Sequence, residues 1–335
     1  MPDIMPPTPP VLRVEGLTVR FRRRGIDVAA VNGVSFALAR GETLTILGES
    51  GSGKSVSLKA LMGLLPDGAK IEGNVWLEGR SVLDMPAVEL AKLRGSTISM
   101  IFQEPMAALD PIYTIGEQIA ETIVQHEGVG HAAAMKRTLD LLDHVKIASA
   151  SRRLKSYPHE MSGGMRQRAM IALALACSPS VLLADEPTTA LDVTVQIQIL
   201  LLLRQLQQEL GMAIVFVTHD VGAAAEISDR IAVMYAGQFV ETATAREIMR
   251  SPGHPYTQAL LASTVHGGLR GHALQTIQGT PPNLAQLPPG CAFAPRCRNA
   301  NDLCTRGEVP VTSWPNGAMV RCLHAVPVPA QEVTT

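Results

Sequence analysis

The pattern of apolar and polar positions divides the chain into segments of different type. LRVEGLTVRF (12–21) and VSFALA (34–39) alternate apolar with polar residues or are rich in β-branched residues, which favours strands. ETLTILGESGSGKSVSLKALMGLL (42–65) predicts a strand, a glycine-rich turn and a helix. A helical period follows from about residue 105 to 165 and predicts a helical subdomain.

Helices and strands then alternate through residues 162–242. A strand is predicted at VLLAD (181–185), a long helix at 192–210, and a further strand at AIVFVT (213–218). Parallel strands need crossover helices, so this alternation predicts an α/β fold with a mainly parallel sheet.

The pattern fades near residue 250, where proline and glycine become frequent and cysteines appear. We therefore predict a main domain at 11–250 and an irregular, cysteine-containing C-terminal extension at 251–335. The proline-rich residues 1–10 predict a disordered lead.

Composition narrows the function classes. The chain has 29 basic and 30 acidic residues, and this balance gives no support for extensive nucleic-acid binding. The longest apolar run, 169–184, is interrupted by Ser178-Pro179-Ser180 and is too short for a membrane span. The N-terminus lacks the features of a signal peptide, so we expect a cytoplasmic chain.

A glycine-rich segment is the strongest chemical signal. Residues 48–55, GESGSGKS, match the phosphate-loop pattern G-x-x-x-x-G-K-[ST] at every fixed position. Glycines let the backbone turn its N–H groups toward phosphate, and the following helix adds the positive end of its dipole. Lys54 is expected to reach the β- and γ-phosphates and Ser55 to bind Mg²⁺. The predicted nucleotide-binding residues of this loop are Gly48, Ser50, Gly51, Ser52, Gly53, Lys54 and Ser55.

Two acidic residues end the predicted strand at 181–185. Asp185 suits the carboxylate that supports Mg²⁺, and Glu186 is placed to polarise the water that attacks the γ-phosphate. A third element, Ser162-Gly163-Gly164, opens a predicted helix and is a second anion site by the same reasoning. One γ-phosphate does not need two such sites from one chain. These three residues are therefore expected to contact a nucleotide held by a partner molecule.

These motifs, in this order, resemble the ATP-binding subunits of ABC transporters across residues 11–250. IFQEP (101–105) contains the Q-loop glutamine, MSGGM (161–165) resembles the LSGGQ signature, ALD (190–192) the D-loop, and VTHD (217–220) the switch histidine. The resemblance implies an ABC cassette with a mainly parallel core sheet, an N-terminal antiparallel β subdomain and a helical subdomain.

The resemblance also implies roles for single residues. Gln103 should touch Mg²⁺ or the attacking water, and His219 should hydrogen-bond the γ-phosphate. Asp192 should lie at the seam of a cassette dimer, and Phe21 is the candidate for stacking on adenine.

Further stretches are similar to the D-type subunit of bacterial dipeptide and oligopeptide importers. They are DPIYTIGEQIAE (110–121), YPHEMSGGMRQR (157–168), DEPTTALDVTVQ (185–196), HPYTQALLAS (254–263) and the tail at 277–297. The resemblance implies an ATPase at the cytoplasmic face of the bacterial inner membrane. It also implies a second, related ATPase, two membrane-spanning permease subunits and an extracytoplasmic substrate-binding protein as partners.

The C-terminal cysteines allow several interpretations. Cys291, Cys297, Cys304 and Cys322 have spacings that fit neither a zinc ribbon nor a ferredoxin run. Four cytosolic thiolates can hold Zn²⁺ or a [4Fe–4S] cluster, and reduced, unliganded thiols are the third possibility. The resemblance to the D-type subunits implies the [4Fe–4S] cluster. All parts of the ATP chemistry are predicted upstream of residue 220, so the cysteines are expected to belong to an accessory lobe.

Other functions remain open at this point. An importer ATPase for a nickel chelate or a sugar has the same cassette, because specificity lies in other chains. A soluble ABC ATPase of DNA repair or translation usually has a coiled-coil insertion or a second cassette, and neither is visible here. A generic P-loop kinase or GTPase would need neither the signature nor the switch histidine.

Overall fold

The computed structural model describes residues 9–23, 25–263, 276–314 and 317–325. Most of the predicted disordered lead and the last ten residues of the predicted extension lie outside these ranges.

The strands belong to two sheets. They are β1 (Leu12–Arg23), β2 (Ile26–Leu38), β3 (Thr43–Leu47), β4 (Lys70–Leu77), β5 (Arg80–Ser81), β6 (Ile98–Ile101), β7 (Val181–Asp185), β8 (Ala213–Thr218), β9 (Arg230–Tyr235), β10 (Gln238–Thr244), β11 (Val311–Ser313) and β12 (Met319–Arg321).

Eleven α-helices and three 3-10 helices complete the described part of the chain. The α-helices are α1 (Lys54–Leu61), α2 (Ala87–Leu93), α3 (Pro105–Ala108), α4 (Ile115–Glu127), α5 (His131–His144), α6 (Ala150–Arg153), α7 (Gly163–Ala174), α8 (Val193–Leu210), α9 (Val221–Ile227), α10 (Ala245–Arg250) and α11 (Pro255–Ala262). The 3-10 helices are Pro158–Glu160, Ala294–Arg296 and Asp302–Thr305.

The main sheet has eight strands in the order β11-β12-β10-β9-β3-β8-β7-β6. β6, β7, β8, β3 and β9 pair in parallel, whereas β10, β12 and β11 add an antiparallel edge. Every residue of β7 and β8 is buried, as expected for a central strand covered by helices on both faces. The predicted α/β fold with a mainly parallel core is confirmed.

A second, antiparallel sheet has the order β2-β1-β4-β5. β2 begins at Ile26, eight residues before the strand predicted at 34–39. Its first residues are exposed and have no strong apolar alternation, but they pair with β1 as far as Arg23↔Ile26. Backbone pairing, which a hydrophobic pattern does not register, extends the strand.

The helical layer packs on the side of the sheet formed by β6 and β7. α4, α5 and α7 bury one continuous core, in which Ile119, Leu142 and Met170 lie. α4 begins with a capping box between Thr114 and Glu117, which fixes its first turn.

The C-terminal residues are continuous with the main sheet. β12 pairs with β10 through Glu241↔Val320, and β11 pairs with β12. A third apolar core joins β9 to the extension and includes Tyr256, Phe293 and Ala318. We call the described residues from 276 to 325 the C-terminal lobe.

Candidate ATP site

The phosphate loop connects the carboxyl end of β3 to the first turn of α1. A Cβ added to Gly48 would lie 2.3 Å from the Met234 carbonyl oxygen, and one added to Gly53 would lie 2.3 Å from the Ala30 carbonyl oxygen. Gly53 also has a φ of 108°, which L side chains rarely adopt. The backbone of β2 and β9 therefore sets the shape of this loop and admits only glycine at both positions.

Lys54 is folded back over the loop. Its Nζ donates to the carbonyl oxygens of Gly48 at 2.8 Å and Glu49 at 2.9 Å, and lies 3.8 Å from Glu186 Oε1. Burial lowers the pKa of Lys54, and the nearby carboxylates of Glu186 and Asp185 oppose that shift. The buried ammonium of Lys54 is a positive charge at the phosphate loop and can bind an anionic group such as phosphate.

Ser55 and Asp185 form the predicted magnesium-binding pair. Ser55 Oγ donates to Asp185 Oδ1 at 2.7 Å, which joins α1 to the end of β7. Burial raises the pKa of Asp185, and the hydrogen bond from Ser55 opposes the rise. A hydroxyl and a carboxylate are hard oxygen ligands, so these two groups fit Mg²⁺.

Glu186 is the point at which several polar side chains meet. Its Oε2 accepts from Gln103 Nε2 at 3.4 Å and Thr189 Oγ1 at 3.0 Å, and it hydrogen-bonds His219 Nδ1 at 3.1 Å. Glu186 also has a φ of 45°, which is uncommon for a non-glycine residue and is typical of strained functional sites. The predicted catalytic residues Glu186, Gln103 and His219 are therefore in contact in this structure. Thr189 was not predicted, although a hydroxyl three residues after the acid was a possible signal.

These groups line a cleft of about 800 Å³, a volume in the range of small-ligand sites. Its walls include the phosphate loop, Gln103, Glu186, Thr189 and His219. Phe21 lies on β1 opposite Val28 and is not among the cleft-lining residues. Its predicted stacking on adenine stays a prediction.

Ser162, Gly163, Gly164 and Asp192 lie outside this cleft. Ser162 caps α7 by accepting from Met165 N–H, and Asp192 caps α8 by accepting from Val195 N–H at 3.0 Å. A Cβ on Gly164 would lie 2.8 Å from Val195 Cγ1, so the start of α7 packs closely against α8. The signature and D-loop residues are therefore neighbours on a separate surface.

The C-terminal lobe reaches the phosphate loop, which the sequence analysis did not anticipate. Arg296 donates from Nη1 to Glu49 Oε2 at 2.7 Å and from Nη2 to Glu49 Oε1 at 3.1 Å. The Glu49 N–H donates to the Tyr256 hydroxyl at 3.0 Å. Leu260, Pro281 and Leu284 also line the cleft, at the side of these contacts.

The four C-terminal cysteines surround one small cavity of about 20 Å³, which His254 and His324 also line. This volume suits a single water-sized or ion-sized occupant. Burial raises the pKa of the Cys291, Cys297 and Cys322 thiols. Within the described ranges, no group of three or more His, Cys, Asp or Glu side chains is arranged to hold a metal ion. The expected [4Fe–4S] cluster thus has no support from a preformed ligand set.

Comparison with known proteins places this geometry in a class. The family model described as ABC transporter matches residues 31–189, and the model described as oligopeptide/dipeptide transporter, C-terminal region, matches residues 240–304. A solved dimeric cassette, MJ0796 in a post-hydrolysis state bound to ADP and Pi, has a TM-score of 0.64 and 30% identity. That alignment covers 70% of this chain and 99% of the cassette.

Full-length relatives are more similar. The oligopeptide transport ATP-binding protein OppD of Salmonella typhimurium is 47% identical over 316 residues, covering 94% of each chain. The dipeptide transport ATP-binding protein DppD of Bacillus subtilis is 48% identical over 298 residues, covering 88% of this chain and 89% of that protein. This chain therefore belongs to the ABC transporter ATP-binding family, and it is an ATPase of that family.

No helix in the described ranges is long and apolar enough to cross a membrane.

Proposed function

We propose that this chain is the ATP-hydrolysing subunit of an ABC importer for dipeptides or oligopeptides. One observation supports the chemistry most directly: the phosphate loop with Ser55, which is hydrogen-bonded to Asp185, and the hydrogen-bonded Glu186 line the same cleft. The peptide class rests on relatives that are 47% and 48% identical over most of the chain.

The proposed catalytic step uses Glu186 as the base. Its carboxylate takes a proton from water as the water oxygen attacks the γ-phosphorus in line; the bond from that phosphorus to the β–γ bridging oxygen breaks, and ADP leaves. Lys54 would neutralise part of the charge that develops on the phosphate oxygens, and Ser55 and Asp185 would hold Mg²⁺, which would supply further positive charge there. Gln103 and His219 then position the water and the γ-phosphate.

A second, related cassette completes the site in this proposal. Ser162, Gly163 and Gly164 lie away from the chain's own cleft, and they are free to contact a nucleotide held by the other cassette. Asp192 is exposed beside them, and Val193, next to it on α8, is 71% exposed. ATP binding closes the dimer and hydrolysis opens it, because the γ-phosphate connects the two halves of each site.

Permease subunits bind the segment that follows Gln103. Met106, Ile112 and Tyr113 are exposed there by 43%, 75% and 54%. A group of large exposed apolar residues is typical of a protein–protein interface. We propose that the chain is a peripheral subunit at the cytoplasmic face of the bacterial inner membrane, and that an extracytoplasmic binding protein delivers the peptide.

The cysteine cavity supports a subsidiary proposal. Four thiols and no carboxylate line it, and thiolates suit zinc and iron–sulfur centres. We propose that Cys291, Cys297, Cys304 and Cys322 hold a metal centre that stabilises the lobe. We choose a [4Fe–4S] cluster because of the resemblance to the D-type subunits, and this centre requires the thiols to move apart from the cavity of about 20 Å³ that they line. Anaerobically purified protein that is brown and contains equal iron and sulfide supports this choice. Colourless protein with stoichiometric zinc, or with no metal, contradicts it.

The main test is purification of the chain from membranes with its partners, followed by reconstitution into vesicles. We expect two hydrophobic subunits and a second cassette to co-purify, and a peptide-loaded binding protein to stimulate ATP hydrolysis. The matched control is the same complex with Glu186→Gln. Stimulation by a nickel chelate or a sugar, but not by peptides, would reassign the solute. Stable association with ribosomes or DNA would contradict transport.

A further inference from the structure

One ion pair joins the C-terminal lobe to the phosphate loop. Arg296 lies at the end of the 3-10 helix Ala294–Arg296, and Glu49 is the second residue of the loop. The guanidinium binds both oxygens of the Glu49 carboxylate, which is the fork geometry that makes such pairs directional. The Arg296 side chain is 5% exposed and the Glu49 side chain is 25% exposed, so the contact is mostly shielded from water.

The position of Arg296 is fixed from several sides. Its Nε donates to the Gln278 carbonyl at 2.9 Å, and its Nη1 lies 3.3 Å from the Tyr235 hydroxyl. The guanidinium carbon lies 5.9 Å from the ring centroids of Tyr235 and Phe293. A guanidinium held in this way is pre-organised to bind one carboxylate.

Glu49 is an unfavourable residue for a phosphate loop unless its charge is cancelled. Its carbonyl oxygen accepts from Lys54 Nζ, and the residue lines the cleft that receives the triphosphate. A free carboxylate there would repel phosphate and compete for the ammonium of Lys54. The bidentate pair removes both effects, because it neutralises the carboxylate and turns it toward the lobe.

We propose that Arg296 is a positioning residue of the ATP site: it cancels the charge of Glu49 and turns that carboxylate toward the lobe. The C-terminal lobe thereby contributes to the nucleotide affinity of the phosphate loop. The proposal rests on the ATP-binding role of the cleft, and it does not depend on the transported solute or on a metal at the cysteines.

The test measures the dissociation constant of MgATP for the full chain and its variants. Arg296→Gln should raise that constant roughly tenfold, the change that about 1.4 kcal/mol produces. Adding Glu49→Gln should restore the constant to within about threefold, because no carboxylate then remains to be cancelled. Glu49→Gln alone should leave it unchanged or lower it.

Arg230→Gln is the matched control. Arg230 donates to Glu42 Oε1 at 2.8 Å and lies outside the cleft, so its loss should change thermal stability but not MgATP binding. Melting temperatures of all variants separate loss of fold from loss of affinity.

Three results would overturn the proposal. The first is an unchanged constant in Arg296→Gln, and the second is a double variant that binds no better than Arg296→Gln. The third is a tenfold rise of the dissociation constant in Glu49→Gln alone, which would mean that the anchoring of Glu49, and not the cancelling of its charge, supports MgATP binding. This variant decides the question even if Arg296→Gln does not fold. Failure of the unmodified chain to bind MgATP would instead contradict the assigned ATP site.

Discussion

The ATP site and the C-terminal lobe use buried polar groups in opposite ways. At the ATP site, polar side chains meet at the carboxyl ends of β3, β7 and β8 and face an open cleft. Where the lobe meets the main sheet, Phe293 packs edge-on against Tyr235 of β9 and Tyr256 of α11, and these two rings are tilted against each other, with ring centroids 4.5 to 5.3 Å apart. The first arrangement keeps charge available for a ligand, whereas the second excludes water around the residues that hold Arg296.

The largest expected effect lies at the ATP site. Glu186→Gln keeps the shape of the side chain but removes the proposed base, so ATP hydrolysis should fall by about 100-fold or more. MgATP binding should persist, since Lys54 and the loop are unchanged. Steady-state hydrolysis and nucleotide binding measure the two effects separately. Glu209→Gln, at an exposed position of α8, is the control, and turnover of Glu186→Gln equal to this control would exclude the role of base.

A core change in the lobe tests whether that region supports the rest of the molecule. Phe293 is 2% exposed, and Phe293→Ala should lower the free energy of unfolding by about 3–5 kcal/mol. Urea unfolding measures this difference. Leu303→Ala, at a residue that is 63% exposed in the same lobe, should change it by less than about 0.5 kcal/mol. Equal changes in the free energy of unfolding for the two variants would show that the packing of Phe293 does not stabilise the fold.

A glycine substitution tests the rigidity of the phosphate loop. Gly53→Ala should cost about 2–4 kcal/mol of stability and abolish MgATP binding, because the new Cβ would meet the Ala30 carbonyl oxygen. Gly128→Ala is the control: Gly128 has a φ of 67° with nothing within 4 Å of an added Cβ. That change should cost only about 1 kcal/mol and leave binding intact. Retained binding in Gly53→Ala would contradict the fixed geometry of the loop.

The smallest expected effect depends on pH. Burial lowers the pKa of His254 to about 4 from its usual 6.5, so the folded chain holds it neutral. Between pH 6.5 and 4, His254 becomes protonated in the unfolded chain but stays neutral in the folded chain. The free energy of unfolding therefore falls as the pH falls through this range. The contribution of His254 to the free energy of unfolding should be about 2 kcal/mol smaller at pH 5 than at pH 7.

The control for this pH effect is His254→Asn, which retains an acceptor at the helix N-cap but does not titrate. In the unmodified chain the cap is a hydrogen bond from Tyr256 N–H to His254 Nδ1 at 2.9 Å. The side-chain oxygen of the introduced Asn can accept the same hydrogen bond. Urea unfolding at both pH values should show a flatter dependence in the variant. An identical pH dependence of the free energy of unfolding in both chains would contradict the lowered pKa of His254.

Contiguous features were predictable from the sequence. The phosphate loop, the strand ending in Asp185 and Glu186, and α8 were all identified within a few residues, since each depends on a local pattern. The early start of β2 was missed because pairing with β1, and not side-chain burial, creates it. Thr189 was missed because its hydroxyl is indistinguishable in sequence from a turn residue.

The sequence by itself predicted the ATP-binding phosphate loop, Glu186 as the candidate base, and the family of this protein. Those features depend on residue types at fixed short spacings, which backbone geometry makes specific. Only the tertiary structure decided that Arg296 meets Glu49, 247 residues earlier, and that the lobe extends the main sheet at β10. No local pattern predicts such a contact, because it depends on how the sheet edge places the lobe beside the loop.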